Sequence, residues 1–371
     1  MSSSCALACN PPIPLYEARE NSRPSSLFLQ LLTRKRLILF SLFGLTLLLL
    51  VVNLLRQLPK WELEEFLGPL FGSRPTQNSG SESPNYEPYQ KIVWISIASI
   101  LAAVLLAISG NISQSLLQNP LADCSTLGMI DGAAFGLMLL KVFLGAEIGN
   151  FYFAHFLMAF FCAFLVFMLI LFIFNSNVSW ERKNICTLII LFGLVLNIFF
   201  RTATHLVKAY SVTSVNTSFA LALGGAENIF ELFPSQFQLL QYAMPITVLL
   251  FLFTRCLAKS LNLAELGFDQ AHSLGVNIRM LQFLGYSTIL CCNTLTINLV
   301  GNISFVGLIS THLARRILKT RKYEAIIPSS SLISALLLMI AITVNSYVPE
   351  ISTSNLILAL GAASLFLLTR E

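Results

Sequence analysis

The sequence predicts an all-α, polytopic membrane protein of about ten transmembrane helices, with both termini in the cytosol. Three observations lead there. Apolar residues make up 56% of the chain and charged ones 11%, with a mean hydropathy of +0.75, whereas soluble domains carry about 25% charged residues. The apolar residues gather into runs near the length of about 20 at which a helix crosses a hydrocarbon layer of about 30 Å. Finally, Lys and Arg between the runs alternate in density. With the N-terminus inside, only Arg56, Lys60, Arg74, Lys91, Arg201 and Lys208 of the 23 fall outside, the bias expected when positive charge stays cytosolic.

Taken in order, residues 1–33 are polar, contain Pro11, Pro12, Pro14 and Pro24 and lack an apolar core, which predicts a disordered cytosolic tail. Arg34, Lys35 and Arg36 then flank the uncharged run 37–55, the first span, which is too long for a signal-peptide core. Residues 57–90 carry Glu62, Glu64, Glu65, Glu82 and Glu87 around a Ser/Pro/Gly/Asn-rich centre and read as an external loop, with one short surface helix near 61–66. The second span covers 92–110. Runs at 126–145, 151–174, 185–204, 237–253, 281–300, 303–318, 326–348 and 351–368 complete the ten, so residues 34–371 form one membrane domain. The tetrapeptide GNIS occurs at 110–113 and at 301–304. In this topology the copies lie near opposite faces, as an inverted repeat requires, although four matched residues carry little weight alone.

Several function classes drop out. The eight Cys form no CxxC pair or Cys/His cluster, and His155, His205, His272 and His312 share no helical spacing, so no metal site, disulfide framework or cofactor is expected. The net charge of +5 follows topology and implies no nucleic-acid partner. GxxxxGK[ST], GxSxG and HExxH are all absent, which leaves a non-catalytic chain without a phosphate cradle of its own.

Two interhelical stretches stand out. In 260–277, Asn262 with Glu265 reads as a capping box opening one short helical turn that Gly267 ends. Asp269 caps a second piece, which Gly275 stops. Leu261, Leu263, Leu266, Ala271 and Leu274 give the pair an apolar side. A solvated loop is the plainer reading, but the capping and the apolar side favour a docking element for a cytosolic partner. In 115–136, Pro120 forces Asn119 out of helical geometry, and Gly128, Gly132 and Gly136 form a small-residue ridge for close helix approach.

Ionisable residues within spans cost at least about 2.5 kcal/mol at mid-bilayer. Asp131, five residues into the third span, has three readings: it faces a transport path, pairs across a dimer, or snorkels to the inner interface. Lys141 reaches the outer interface along its stem. Arg201 and Lys208, at the outer end of the fifth span, are placed to dock a partner or attract an anionic ligand, and equally to anchor the helix at the interface.

The 115–136 stretch, with Asn119-Pro120-Leu121-Ala122, Leu127-Gly128 and the glycines after it, closely resembles the NPLA…LG…GA..G signature of the FecCD-type permeases of iron-siderophore and cobalamin ABC importers. Residues 261–277 resemble that family's coupling segment, and GNISFVGLISTHLARRI at 301–317 is similar to its GPIGFVGL..PHI.R stretch. The likeness covers about 37–370. It implies a permease subunit of the bacterial inner membrane, paired with a second copy or a related permease. A periplasmic or lipoprotein-type binding protein would supply the cargo and a cytosolic ATPase dimer the energy. On the matched positions, Asn119 and Leu121 fall at the cytoplasmic gate and Thr187 near its second half. Leu261, Asn262, Leu263, Glu265, Leu266, Gly267, Asp269, Ala271, Leu274 and Gly275 form the ATPase-coupling element. A ferric siderophore is the expected cargo, with cobalamin or haem as alternatives. An ion-coupled secondary transporter is the reading from outside the family. Ile92, Val93, Trp94 and Ile95 stand where the family carries docking arginines. Asn302, Thr311, Ser352 and Ala363 replace its prolines, and Ile342 replaces its ninth-span Asp.

Overall fold

The structure is a computed structural model that describes residues 26–57, 87–144, 152–175, 182–210, 224–225, 236–348 and 351–368. Its helices are α1 (Ser26–Gln57), α2 (Glu87–Leu116), α3 (Met129–Leu144), α4 (Tyr152–Asn175), α5 (Arg182–Tyr210), α6 (Gln236–Ala264), α7 (Phe268–Ser273), α8 (Ile278–Val300), α9 (Val306–Leu318), α10 (Tyr323–Tyr347) and α11 (Thr353–Leu368), with a 3₁₀ turn at Cys124–Leu127. There is no strand among the described residues. Each of the ten apolar runs becomes one helix, and α7 is the extra, short one. Both α1 and α2 begin outside their apolar runs, α1 inside the expected tail and α2 inside the expected external loop. A helix needs no apolar side chains once it has left the hydrocarbon, because its backbone bonds are internal. The expected surface helix at 61–66 lies outside the described residues.

Helix α2 is the hub. It packs against α8, α10, α9 and α6, and its residues from Leu105 to Ser115 are almost fully buried. Close approach rests on missing side chains: a methyl group on Gly110 would stand 2.8 Å from Gly307 Cα, and one on Gly307 would stand 2.6 Å from the Leu106 carbonyl. Helix α8 buries Thr288, Thr294 and Thr296. Their hydroxyls donate back to the carbonyls of Leu284, Leu290 and Cys292, which satisfies polar groups that water cannot reach. By contrast α5 and α6 leave much of their surface uncovered.

Six helices (α2, α4, α5, α6, α8 and α10) are long and apolar enough to cross a membrane, and α1, α3 and α11 supply shorter apolar segments. Helix α9, with 13 residues, reaches only about 20 Å at 1.5 Å per residue, short of the hydrocarbon thickness of about 30 Å. It starts late because Gly301 and Phe305 adopt left-handed φ values of 72° and 68°, breaking the run that began at Ile303. Helix α3 is likewise preceded by the 3₁₀ turn, which Gly128 closes at φ 74°. These two starts are tied together: Asp123 Oδ2 accepts from Phe305 N at 3.0 Å and from Ser125 Oγ at 2.9 Å.

Candidate functional site

Where α2, α6 and α9 end together, they enclose an open cavity of about 790 Å³. One wall is the corner after α2. Asn119 Oδ1 accepts from Leu121 N at 2.9 Å and its carbonyl accepts from Ala122 N at 3.0 Å, the local turn that a helix-breaking Asn-Pro pair favours. Gln118 precedes it at a left-handed φ of 48°. The opposite wall is the elbow from α6 into α7, formed by Glu265, Leu266 and Gly267. The expected gate residue Asn119 and three expected coupling residues therefore line the same space.

The walls are hydrogen-bonded to each other. Gln118 Nε2 donates to the Ala264 carbonyl at 3.0 Å and Ser115 Oγ to the Leu261 carbonyl at 3.4 Å. Gln114 Nε2 reaches Thr311 Oγ1 on α9 at 2.7 Å, and His312 Nε2 donates to the Pro120 carbonyl at 2.8 Å. The elbow is bound to α9 and α10 by one polar cluster: Glu265 Oε1 accepts from Arg315 Nη2 and from the Tyr323 hydroxyl, both at 3.0 Å. His312, Arg315 and Tyr323 carry no role in the sequence reading. The first two lie inside the 301–317 stretch, and that was the available signal.

The elbow corrects the capping-box expectation. Helix α6 runs unbroken to Ala264, so Asn262 sits in its last turn, where its Oδ1 accepts from Tyr323 N at 2.7 Å. Glu265 faces Arg315 rather than a helix start. Instead of two stubby helices there is the tail of a spanning helix and one short α7. The N-cap of α7 is Gly267, with no side-chain cap, and Asp269 lies within its first turn. Gly267, at φ 111°, is the N-cap of α7 rather than the end of a first short helix, while Gly275, at φ 88°, follows the C-cap Leu274, where the second piece is expected to stop. The apolar side divides: Leu261 and Ala271 are fully buried, while Leu266 and Leu274 are 56% and 60% exposed. Leu263 is half-buried. Of these five residues only the two outer leucines, one on each side of α7, are exposed.

Leu121 is exposed beside the cavity. Thr187 lies on an exposed face of α5 and is not among the residues lining the cavity. Asp131 is the larger surprise. It is 3% exposed, and its Oδ1 accepts from Arg201 Nε at 3.1 Å and from Asn302 Nδ2 at 2.9 Å. The pairing with Arg201 and Asn302 is within one chain, and the carboxylate is buried rather than reaching out to an interface. The 3₁₀ turn at Cys124–Leu127 takes up the start of the apolar run, and Asp131, in the first turn of α3, meets Arg201 in the C-terminal half of α5. Lys208 is on α5 as well, with its side chain outside the described residues. No group of three or more His, Cys, Asp or Glu that could hold a metal occurs among the described residues.

Comparison with known proteins gives this architecture a family. The model of the FecCD transport family matches residues 45–371. A Staphylococcus aureus (strain MSSA476) protein described as a probable heme-iron transport system permease protein, IsdF, is 26% identical over 262 residues, covering 69% of this chain and 74% of that protein. Its counterpart in strain Newman is 25% identical over 246 residues, covering 66% and 69%. Among solved structures, a metal-chelate type ABC transporter in an inward-facing conformation superposes with a TM-score of 0.70 at 22% identity, over 91% of this chain and 99% of that one. PsaBC from Streptococcus pneumoniae, solved with a Fab, reaches 0.52 at 16% identity over 76% and 92%. These two likenesses concern the fold. With nearly the whole membrane domain matched, the chain belongs to the FecCD transport family, as a multi-pass permease of the bacterial inner membrane.

Proposed function

We propose that this permease, with a second copy or a related permease, forms the membrane channel of an importer for an iron chelate, driven by a cytosolic ATPase dimer and supplied by an external binding protein. The observation that carries the reading is the hydrogen-bonded union of the α6–α7 elbow with the Asn119–Pro120 corner. In this reading Leu266 and Leu274 dock on the ATPase, and Gly267 and Gly275 let α7 stand off from its neighbours. Movement of the elbow then reaches Asn119 and Leu121, the cytoplasmic gate, through Gln118. Thr187 lines the path on α5. Both termini are cytosolic and the 57–90 segment is external. The cargo expected from family likeness is a ferric siderophore, but the haem iron named for the relatives moves our reading to haem. Asp131 has its partners in Arg201 and Asn302, so an ion-coupled carrier loses the residue that motivated it.

The test is purification of the tagged chain in mild detergent with mass spectrometry of what accompanies it, followed by uptake of radiolabelled haem iron into cells. A stoichiometric P-loop ATPase, and uptake that fails on ATP depletion but survives proton uncouplers, is the expected result. A chain that purifies alone, with uptake sensitive to uncouplers, would overturn the ATP-driven reading. Competition by unlabelled ferric siderophore, without effect of unlabelled haem, would return the cargo to a siderophore.

A further inference from the structure

Thr187, Leu191, Leu194, Ile198, Arg201 and His205 are all exposed on α5. Their spacing alternates four and three, which places them on one face of the helix. A guanidinium among these apolar side chains is costly in hydrocarbon unless it snorkels to the interface. Arg201 is instead tied inward to a buried carboxylate, which favours a wetted path or a protein partner over lipid for this face. Arg201 is also held unusually. Its Nε bonds Asp131 Oδ1, its side chain is still 56% exposed, and its Nη1 and Nη2 bond no described residue. The carboxylate that holds it is buried, and the same oxygen, Oδ1, also accepts from Asn302 Nδ2. Asp131 Oδ2 is buried with no partner, which leaves half of a bidentate arginine–carboxylate pair unmade.

We propose that Arg201 is a transit site for a carboxylate on the cargo, with Asp131 as a built-in competitor that releases it. In one state Nε stays on Asp131 and the free Nη fork takes the cargo's carboxylate. In the other, the guanidinium turns to bond both Asp131 oxygens and the cargo is let go. A conducting site must bind well enough to admit and weakly enough to discharge, and a fixed internal carboxylate supplies the second requirement. The proposal rests on the haem reading above, since haem presents two propionate carboxylates.

The experiment uses the complete importer in proteoliposomes with haem, comparing Arg201→Gln, Arg201→Lys, Asp131→Asn and the Asp131→Asn/Arg201→Gln double variant. Two quantities are read: the initial uptake rate, and haem retained on the repurified permease after ATP-driven turnover, seen by its absorbance. Arg201→Gln is expected to lower uptake about tenfold with no retained haem, and Arg201→Lys to keep part of the rate. Asp131→Asn is expected to slow uptake while retaining several-fold more haem than wild type, an effect that the double variant abolishes. A purely structural ion pair predicts the opposite pattern, with the single variants alike in retention and the double variant restored in uptake, and that result would overturn the proposal. So would unchanged uptake in Arg201→Gln. Should that variant fail to insert, the retention measured on Asp131→Asn, which is nearly isosteric, decides alone. A wild-type importer that moves a carboxylate-free ferric trihydroxamate but no haem would overturn both the haem cargo and this site while leaving the ATP-driven importer standing.

Discussion

Asp123 decides where two helices begin. It is 2% exposed and gives Phe305 N its acceptor at 3.0 Å, at a residue whose φ of 68° the chain adopts only with such support. Replacing it with Ala leaves a partly buried N–H unpaired, a loss of about 1 kcal/mol. Asp123→Ala is therefore expected to lower the thermal midpoint of the detergent-purified permease and Asp123→Asn, which keeps an acceptor, to lower it less. Equal midpoints for the two would show that the carboxamide oxygen cannot serve. Gly267 presents the opposite case. Nothing lies within 4 Å of where a side chain would stand, yet its φ is 111°, a conformation costing a β-branched residue about 1–3 kcal/mol. The Gly267→Val, Gly275→Val double variant should insert and accumulate as wild type, because no packing is disturbed, and should lose uptake. Undiminished uptake would remove the coupling role of α7.

At the level of elements, legibility followed the range of the interactions. The helices were readable because length and apolarity are local properties, and the break at Asn119-Pro120 because proline restricts the residue before it. Gly267 and Gly275 were readable as breaks because glycine takes a positive φ at no steric cost. The capping box was misread because Asn262 and Glu265 take partners about sixty and fifty residues away, Tyr323 and Arg315, and a pattern of four residues cannot register them. Arg201 and Asp131 are 70 residues apart, and counting along the apolar runs places them near opposite faces. The Glu265–Arg315–Tyr323 cluster joins the elbow to α9, and α9 joins the corner through His312. If it carries force between them, Glu265→Gln should leave the ATPase bound and hydrolysing while transport per ATP falls several-fold. The ratio of haem taken up to phosphate released in proteoliposomes measures this, and an unchanged ratio confines the cluster to a structural role.

For the whole molecule, the uncovered faces ask what covers them. Both α5 and α6 expose long rows of apolar side chains, and lipid would satisfy either row. Arg201 separates the two cases: its charge falls on the α5 row, which favours that row over α6 for a contact between two permeases. In a symmetric pair the same residue approaches its own copy near the axis, so a single cysteine there can bridge two chains when the Cβ atoms come within about 4.5 Å. Cys256 is exposed on α6, and Cys5 and Cys9 lie in the N-terminal segment, so the background should carry Ser at all three. In membranes treated with a mild oxidant, Leu194→Cys or Ile198→Cys is expected to give a reducible band at twice 41.0 kDa, while Leu249→Cys, 65% exposed on α6, gives none. A single-chain band at both α5 positions in a transport-active protein, from which the second permease co-purifies as a different chain, would assign the α5 face to a heterodimer. Bridging through Leu249→Cys alone would move the contact between copies to α6 and leave the Arg201 face without its wetted path.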